Sequence, residues 1–336
     1  MASIPPPGPT LPSAREARVD SWTSYWQGGA LHSCAGSFSG NYAGPLREFW
    51  LQRFAELPED ARVLDACCGN APLSQLLVEH EAFTRRRARI DAVDLAEIDP
   101  GWLRQLAPPV RARINVHARV DVALLPFDAA CFALCMSQFG IEYAESAALV
   151  ELRRVMAPGG RLAALVHHAE ALPVRIAREE LEHAEWLADE QAEGLVAKLI
   201  APMALSATPE GQQALRADAA ANDLRARFNG LLQRLQQRID GARAPDLLEE
   251  TRDALMAILQ RARLAGREAA EAALEHWRVE HARSQLRQRE LVAHARDEAA
   301  LRAWLAPLDD ILQEVAPLKF GNGELAAWAV QARKPA

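Results

Sequence analysis

The stretch that decides the fold runs from Val63 to Leu77 and reads VLDACCGNAPLSQLL. An apolar run, Val63-Leu64, leads through a short turn holding Cys67, Gly69 and Asn70 directly into a segment with helical spacing of leucines at 73, 76 and 77. A strand that switches to a helix through a tight small-residue turn is the opening of a βαβ unit. In an open α/β sheet the crevice at the carboxyl end of such a strand is where a ligand binds.

Working outward, short β-like runs and helical runs alternate from Ala61 to about His168. The strands read RVLDAC, RIDAVDL, INVHAR, CFALCMS and GRLAALVHH. Between them lie helical runs such as PLSQLLVEHEAF and AESAALVELRRVM, the second ending at Pro158-Gly159-Gly160, a helix stop and turn. This alternation predicts a parallel sheet. Near the C-terminus EVAPLKF, the turn Gly321-Asn322-Gly323 and LAAWAVQAR predict an antiparallel hairpin.

Residues between these strand regions are rich in Ala, Arg, Glu, Leu and Gln and read as three or four long helices, with breaks at Pro202, Thr208-Pro209, Gly241 to Pro245 and Gly266. The expected organisation is a flexible tail over 1–19, an aromatic and helical cap over 20–60, an α/β core over 61–170, a helical insertion over 171–306, and a terminal helix with hairpin over 307–336. Both ends of the insertion belong to one sheet. Its apolar stripe, from Leu181 and Trp186 through Leu231 and Leu235 to Leu274 and Trp277, must be buried. We expect the insertion to pack back on the carboxyl edge of the sheet.

Composition narrows the function classes. With half of 336 residues apolar and a quarter charged, the chain is of globular type. No apolar stretch approaches the roughly 20 residues needed to cross a bilayer, and MASIPPPGPTLP lacks the pattern of a signal peptide. A cytoplasmic location is expected. The five cysteines, Cys34, Cys67, Cys68, Cys131 and Cys135, form no CxxC pair, so no metal site or disulfide framework is expected. The net charge of −7 argues against a nucleic-acid partner. The one basic run, Arg85 to Arg89, reads as a solvated helix end.

Three acidic residues stand at strand ends. Asp65 closes the first strand. Asp94 closes the second, at Val93-Asp94-Leu95, where a carboxylate accepts from ribose hydroxyls. Asp121, with Val122, follows the third and is placed to accept from an adenine amino group. The series VLDACCGN, VDL, DVALLPFD, ALCMSQFGIEY and ELRRVMAPGGRLAAL resembles, in order and spacing, the class I S-adenosylmethionine (SAM)-dependent methyltransferases, over residues 61 to 168 and the terminal hairpin. The fold class this implies is α/β: a Rossmann-like, seven-stranded mixed sheet with a terminal antiparallel hairpin and a long α-helical insertion before it.

The resemblance further implies SAM as cofactor. Asp65, Cys67, Gly69 and Asn70 would line its methionine and ribose end, Asp94 hold the ribose, Leu95 pack on the adenine, and Asp121 with Val122 read the adenine edge. Ser137 and Gln138 would sit beneath the methionine carboxylate or the transferring methyl. The family's glycine triplet appears here as Cys67, Gly69 and Ala71, a departure that crowds the turn. The leader SWTSYWQGG and GNYAGPLREFWLQRF resembles that of some bacterial members, which implies that Trp26 and Tyr42 roof the pocket, while Trp50 lies on an apolar helix face.

Methyl transfer is largely a matter of positioning. Where a general base is required, His167 and His168 are the candidates, and period-two alternation lets only one of them face the site. Glu142 and Tyr143 are candidates for the substrate side. The favoured reading is methyl transfer to a small organic acceptor with no membrane partner. The alternatives are a protein or RNA acceptor engaged through the insertion, a homodimer formed through it, or a SAM-binding protein without catalysis.

Overall fold

Short runs of Val, Ile, Leu and Ala form the central strands, buried on both faces as the covered parallel part of the sheet requires. The computed structural model describes residues 13–33 and 40–336; Cys34 and the proline-rich first twelve residues lie outside them. The N-terminal region forms helices α1 (Ala14–Gln27) and α2 (Gly44–Ala55). Then come β1 (Arg62–Ala66), α3 (Pro72–Glu79), α4 (Glu81–Arg85), β2 (Arg89–Val93), α5 (Pro108–Arg111), β3 (Ile114–His117), β4 (Phe132–Gln138), α6 (Ala147–Val155) and β5 (Met156–Val166). A helical stretch follows: α7 (Leu172–Asp189), α8 (Ala192–Leu205), α9 (Pro209–Ala217), α10 (Ala219–Gly241), α11 (Asp246–Ala265) and α12 (Arg267–His294). The chain ends with α13 (Glu298–Leu305), β6 (Leu312–Lys319) and β7 (Leu325–Arg333).

The strands make one seven-stranded sheet in the order β3-β2-β1-β4-β5-β7-β6. The first five are parallel, with Val63 beside Ile90 on one side and Leu134 on the other. The terminal hairpin inserts β7 antiparallel to β5, Leu165 opposite Ala329. The order reverses between β1 and β4, so the carboxyl ends of β1, β2 and β4 open onto a topological switch point. One face of the sheet packs on Trp50 and Phe54 of α2 and Leu73 and Leu77 of α3. The other packs on Leu149 and Leu152 of α6 and Leu301 and Leu305 of α13.

The chain divides into two compact units: Arg175–Val292, and the remainder through Val174 and from Ala293 onward. Within the helical unit, Val196, Leu199 and Ile200 of α8, Leu231 and Leu235 of α10, and Leu255 and Ile258 of α11 form a separate apolar core. Trp186 and Trp277 pack against it.

Several boundaries differ from the sequence expectation. The tail expected to run to residue 19 gives way to helix at Ala14, because Ser13 and Glu16 form a reciprocal capping box. The insertion ends before residue 306: α13 buries Leu301 and Leu305 in the core of the α/β unit. Helix α8 continues past Pro202 to Leu205, and further breaks fall at Gln191, in left-handed backbone, and at Asp218, whose side chain caps α10. Pro158-Gly159-Gly160, expected as the stop and turn of the preceding helix, lies within β5, the helix having ended at Val155. The partner of Phe132 is Met156 and that of Leu134 is Arg161, so the intervening residues loop out as a bulge and pairing resumes.

Candidate functional site

At the carboxyl ends of β1, β2 and β4 lies a cavity of about 410 Å³. Its floor begins with the turn after β1. Cys67, Gly69 and Ala71 all take left-handed backbone, at φ 56°, 53° and 56°. The path that glycine makes easy is therefore kept, with two side chains carried at a conformational expense on the order of 1 kcal/mol each. Gly69 admits no replacement. A Cβ there would lie 2.4 Å from the Trp26 ring. Gly140, after β4, is pressed in the same way against Cys67, whose Cβ would stand 2.5 Å from an added Cβ.

Three carboxylates from three strand ends line this cavity. Asp65 is fully enclosed, with the Ser74 backbone N–H and hydroxyl donating to its Oδ2 at 3.1 and 2.6 Å. Burial pushes its carboxyl up to about 7, against the lowering effect of those bonds. Asp94 accepts from the Gly69 N–H and the Ala96 N–H, each at 2.8 Å, and so ties β2 to the glycine turn. Burial raises its pKa as well. Asp121 accepts from the Ala123 N–H at 2.9 Å and forms an ion pair with Arg15 of α1. Leu95 and Val122 complete this side.

Gln138 lines the far side. Its Oε1 accepts from the Trp50 indole N–H at 2.5 Å, and since an indole N–H only donates, the amide NH2 is turned the other way. That buried nitrogen has no hydrogen-bond partner among the described residues. Ser137, one residue earlier, points to the opposite face as strand alternation requires. Its hydroxyl donates to the Ala66 carbonyl at 2.8 Å and braces β4 to β1, and it is not part of the cavity wall.

The roof is α1. Arg15, Arg18, Val19, Trp22 and Trp26 all face the cavity. Trp22 and Trp26 stack at 5.6 Å, and Trp22 meets Tyr143 edge-on at 6.1 Å. The Thr23 hydroxyl accepts from the Glu97 N–H at 3.0 Å. Asn70, expected among the cofactor ligands, instead fastens the roof: its amide donates to the carbonyls of Trp26 and Ala30, at 3.0 and 2.7 Å. Gly69 and Asn70 thus belong to the joint between floor and roof and do not line the cavity.

Of the residues considered for the roof, the substrate side and a general base, Trp26, Tyr42 and Tyr143 line the cavity; Glu142, His167 and His168 do not. Glu142 is wholly buried, and its Oε1 accepts from both the backbone N–H and Nδ1 of His167, at 3.0 and 2.7 Å. The His167 ring stacks on Phe139 at 4.3 Å, behind the wall that Phe139 presents to the cavity. His168 alternates to the other face, where it stacks on Trp328 at 4.4 Å. Sequence reading missed Arg15, Arg18 and Trp22. The signal that would have found them is the Ser13–Glu16 capping box opening the helix that carries all three.

Residues 64–164, the span from β1 to β5, match the family described as "Methyltransferase domain". No curated protein matches the chain. Among solved structures the chain is similar to geranyl diphosphate C-methyltransferase from Streptomyces coelicolor A3(2), at 19% identity over 37% of this chain and 43% of that one, with a TM-score of 0.32. It is similar also to the [4+2]-cyclase SpnF, at 17% identity over 49% and 64%, TM-score 0.36. A third is 1,6-didemethyltoxoflavin-N1-methyltransferase from Burkholderia thailandensis, at 20% identity over 48% and 68%, TM-score 0.36. The chain spans less than half the length of the first of these. The family match lies on β1 to β5, the part of the sheet that carries the cavity.

Proposed function

We propose that the chain binds SAM in this cavity and transfers its methyl group to a small organic acceptor by direct displacement. The observation that carries the reading is the convergence of Asp65, Asp94 and Asp121, from three successive strand ends, on one cavity of about 410 Å³. That volume is in the range of small-molecule sites. A carboxyl held near 7 by burial gains from a cation beside it, and SAM carries both a sulfonium and an ammonium. The residues present fit it. Asp94 and Asp121 offer acceptors to hydroxyl and amino groups, and the unpartnered amide nitrogen of Gln138 offers a donor.

Bound there, SAM supplies an electrophilic methyl group. What the protein contributes is alignment and the exclusion of water. Trp22, Trp26 and Tyr143 wall the cavity with aromatic faces. His167, clamped by Glu142 and stacked on Phe139, stiffens the wall from behind in this reading. A cytoplasmic setting is part of the same reading, supported by the free thiols of Cys67, Cys68, Cys131 and Cys135.

Incubation with methyl-labelled SAM and fractionated cell extract tests the assignment. The expected result is label in the small-molecule fraction. Label confined to protein or RNA would overturn the acceptor class, and its absence from every fraction would overturn catalysis.

A further inference from the structure

A second cavity, of about 360 Å³, opens at the other end of the sheet, around the amino end of β5 and the carboxyl end of β7. Three guanidinium groups from three elements meet there: Arg53 of α2, Arg161 of β5 and Arg333 of β7. Arg161 and Arg333 are direct cross-strand partners in the antiparallel β5–β7 pair. Like charges in that position oppose pairing, and a strand pair with no use for them would place a neutral or acidic residue at one of the two.

The negative charge nearby is already engaged. Glu56, the one carboxylate lining the cavity, is ion-paired with Arg161, and Glu314 accepts from the Gln331 amide. The Arg53 Nε donates to the Gln331 Oε1 at 3.1 Å. The Arg333 backbone N–H donates to the Ile311 carbonyl at 2.8 Å, while its guanidinium forms no hydrogen bond or ion pair with any described residue. The lining therefore carries three positive charges against one negative, in a chain whose net charge is −7. Burial and the neighbouring Arg333 both act against the charged form of Arg161; for Arg53, burial and Arg161 act against the charged form and the nearby Glu314 carboxylate in its favour.

We propose that this cavity is an anion site for a phosphoryl group, separate from the methyl-transfer cavity. Guanidinium forks match phosphate oxygens in pairs. A bound phosphate would remove the repulsion that Arg161 and Arg333 otherwise carry across the strand pair. The enclosed volume suits a small phosphorylated molecule or free phosphate.

Thermal melting of the full chain tests this, with inorganic phosphate against sodium chloride at equal ionic strength. Phosphate is expected to raise the midpoint by roughly 2 to 4 °C beyond chloride. Arg333→Gln should abolish that rise while melting no lower than wild type without phosphate, because it removes a like-charge pair. Arg333→Lys, which keeps the charge but not the fork, should retain only part of the rise. Adenosine monophosphate separates the sources: a larger rise than with phosphate indicates a phosphorylated metabolite, an equal one free phosphate, and either supports the site. A wild-type response no greater than with chloride would overturn the proposal, as would a phosphate response that survives Arg333→Gln. Loss of SAM binding would leave this result untouched, since the two cavities share no lining residue.

Discussion

Floor and roof of the cavity at the carboxyl ends of β1, β2 and β4 are built on different principles. The floor is made of strand ends and turns whose polar groups are buried and satisfied by the backbone: Ser74 on Asp65, and Gly69 and Ala96 on Asp94. The roof is one helix, α1, held at its end by the Asn70 amide, at its middle by Thr23, and at its start by the exposed Arg15 pair with Asp121. Buried, over-determined contacts resist change and are expensive to lose, whereas exposed pairs contribute little. We therefore expect ligand affinity to reside mainly in the floor, and the start of the roof, held by an exposed pair, to move more readily when a ligand enters.

The largest expected effect lies at the joint. Gly69→Ala forces a left-handed alanine against the Trp26 ring, and we predict a stability loss of about 3 kcal/mol with severely weakened SAM binding. Adding Trp26→Ala should restore part of the stability. Denaturant unfolding of the single and double variants checks this, and additive losses would mean that the two residues do not press on each other.

Next comes Asp65. Its folded carboxyl keeps a proton up to about 7, whereas the unfolded chain releases it near its ordinary value. Between about pH 4 and about 7 the unfolded state binds fewer protons, so this group's contribution to stability falls as pH rises through that window and is constant above it. Asp65→Asn should remove the fall and gain on wild type by on the order of 2 kcal/mol across it. Parallel stability profiles of the two proteins would show that the carboxyl is not held protonated.

Asp94→Ala is predicted to weaken SAM binding by roughly 1 to 3 kcal/mol, as a lost buried acceptor does. An unchanged affinity would move the ribose away from β2. Ala71→Gly, which relaxes a left-handed alanine, should stabilise by up to about 1 kcal/mol and leave SAM affinity within a few fold. A large loss of affinity would mean that the turn holds its ligand by another path. Smallest of all, Arg15→Ala should change stability by less than about 0.5 kcal/mol, because the pair is exposed. A change of several times that size would show the roof to be as firmly built as the floor.

The floor was legible because strand, turn and carboxylate recur in local patterns: Asp65, Asp94 and Asp121 each follow an apolar run, and each lines the cavity. The terminal hairpin was legible for the same reason, an Asn-Gly turn between two apolar runs. The roof was half legible. Trp26 and Tyr42 stood out, but the proline content of the first dozen residues hid the capping box at Ser13, and with it Arg15, Arg18 and Trp22. Gly69 and Asn70 were found as turn residues, yet whether a turn residue meets a ligand or a neighbouring helix depends on tertiary packing. His167 and His168 illustrate the same limit. Alternation separates them, but Phe139 stands between His167 and the cavity, and no local pattern carries that.

The central claim is that this acidic floor holds SAM, and calorimetric titration with SAM and its uncharged-sulfur product S-adenosylhomocysteine, repeated across the range in which Asp65 ionises, tests it most directly. Both should bind at one site, and SAM should gain on S-adenosylhomocysteine as pH rises through about 7, because only SAM brings a sulfonium to the ionising carboxylate. Absence of binding by either ligand at millimolar concentration would contradict the claim.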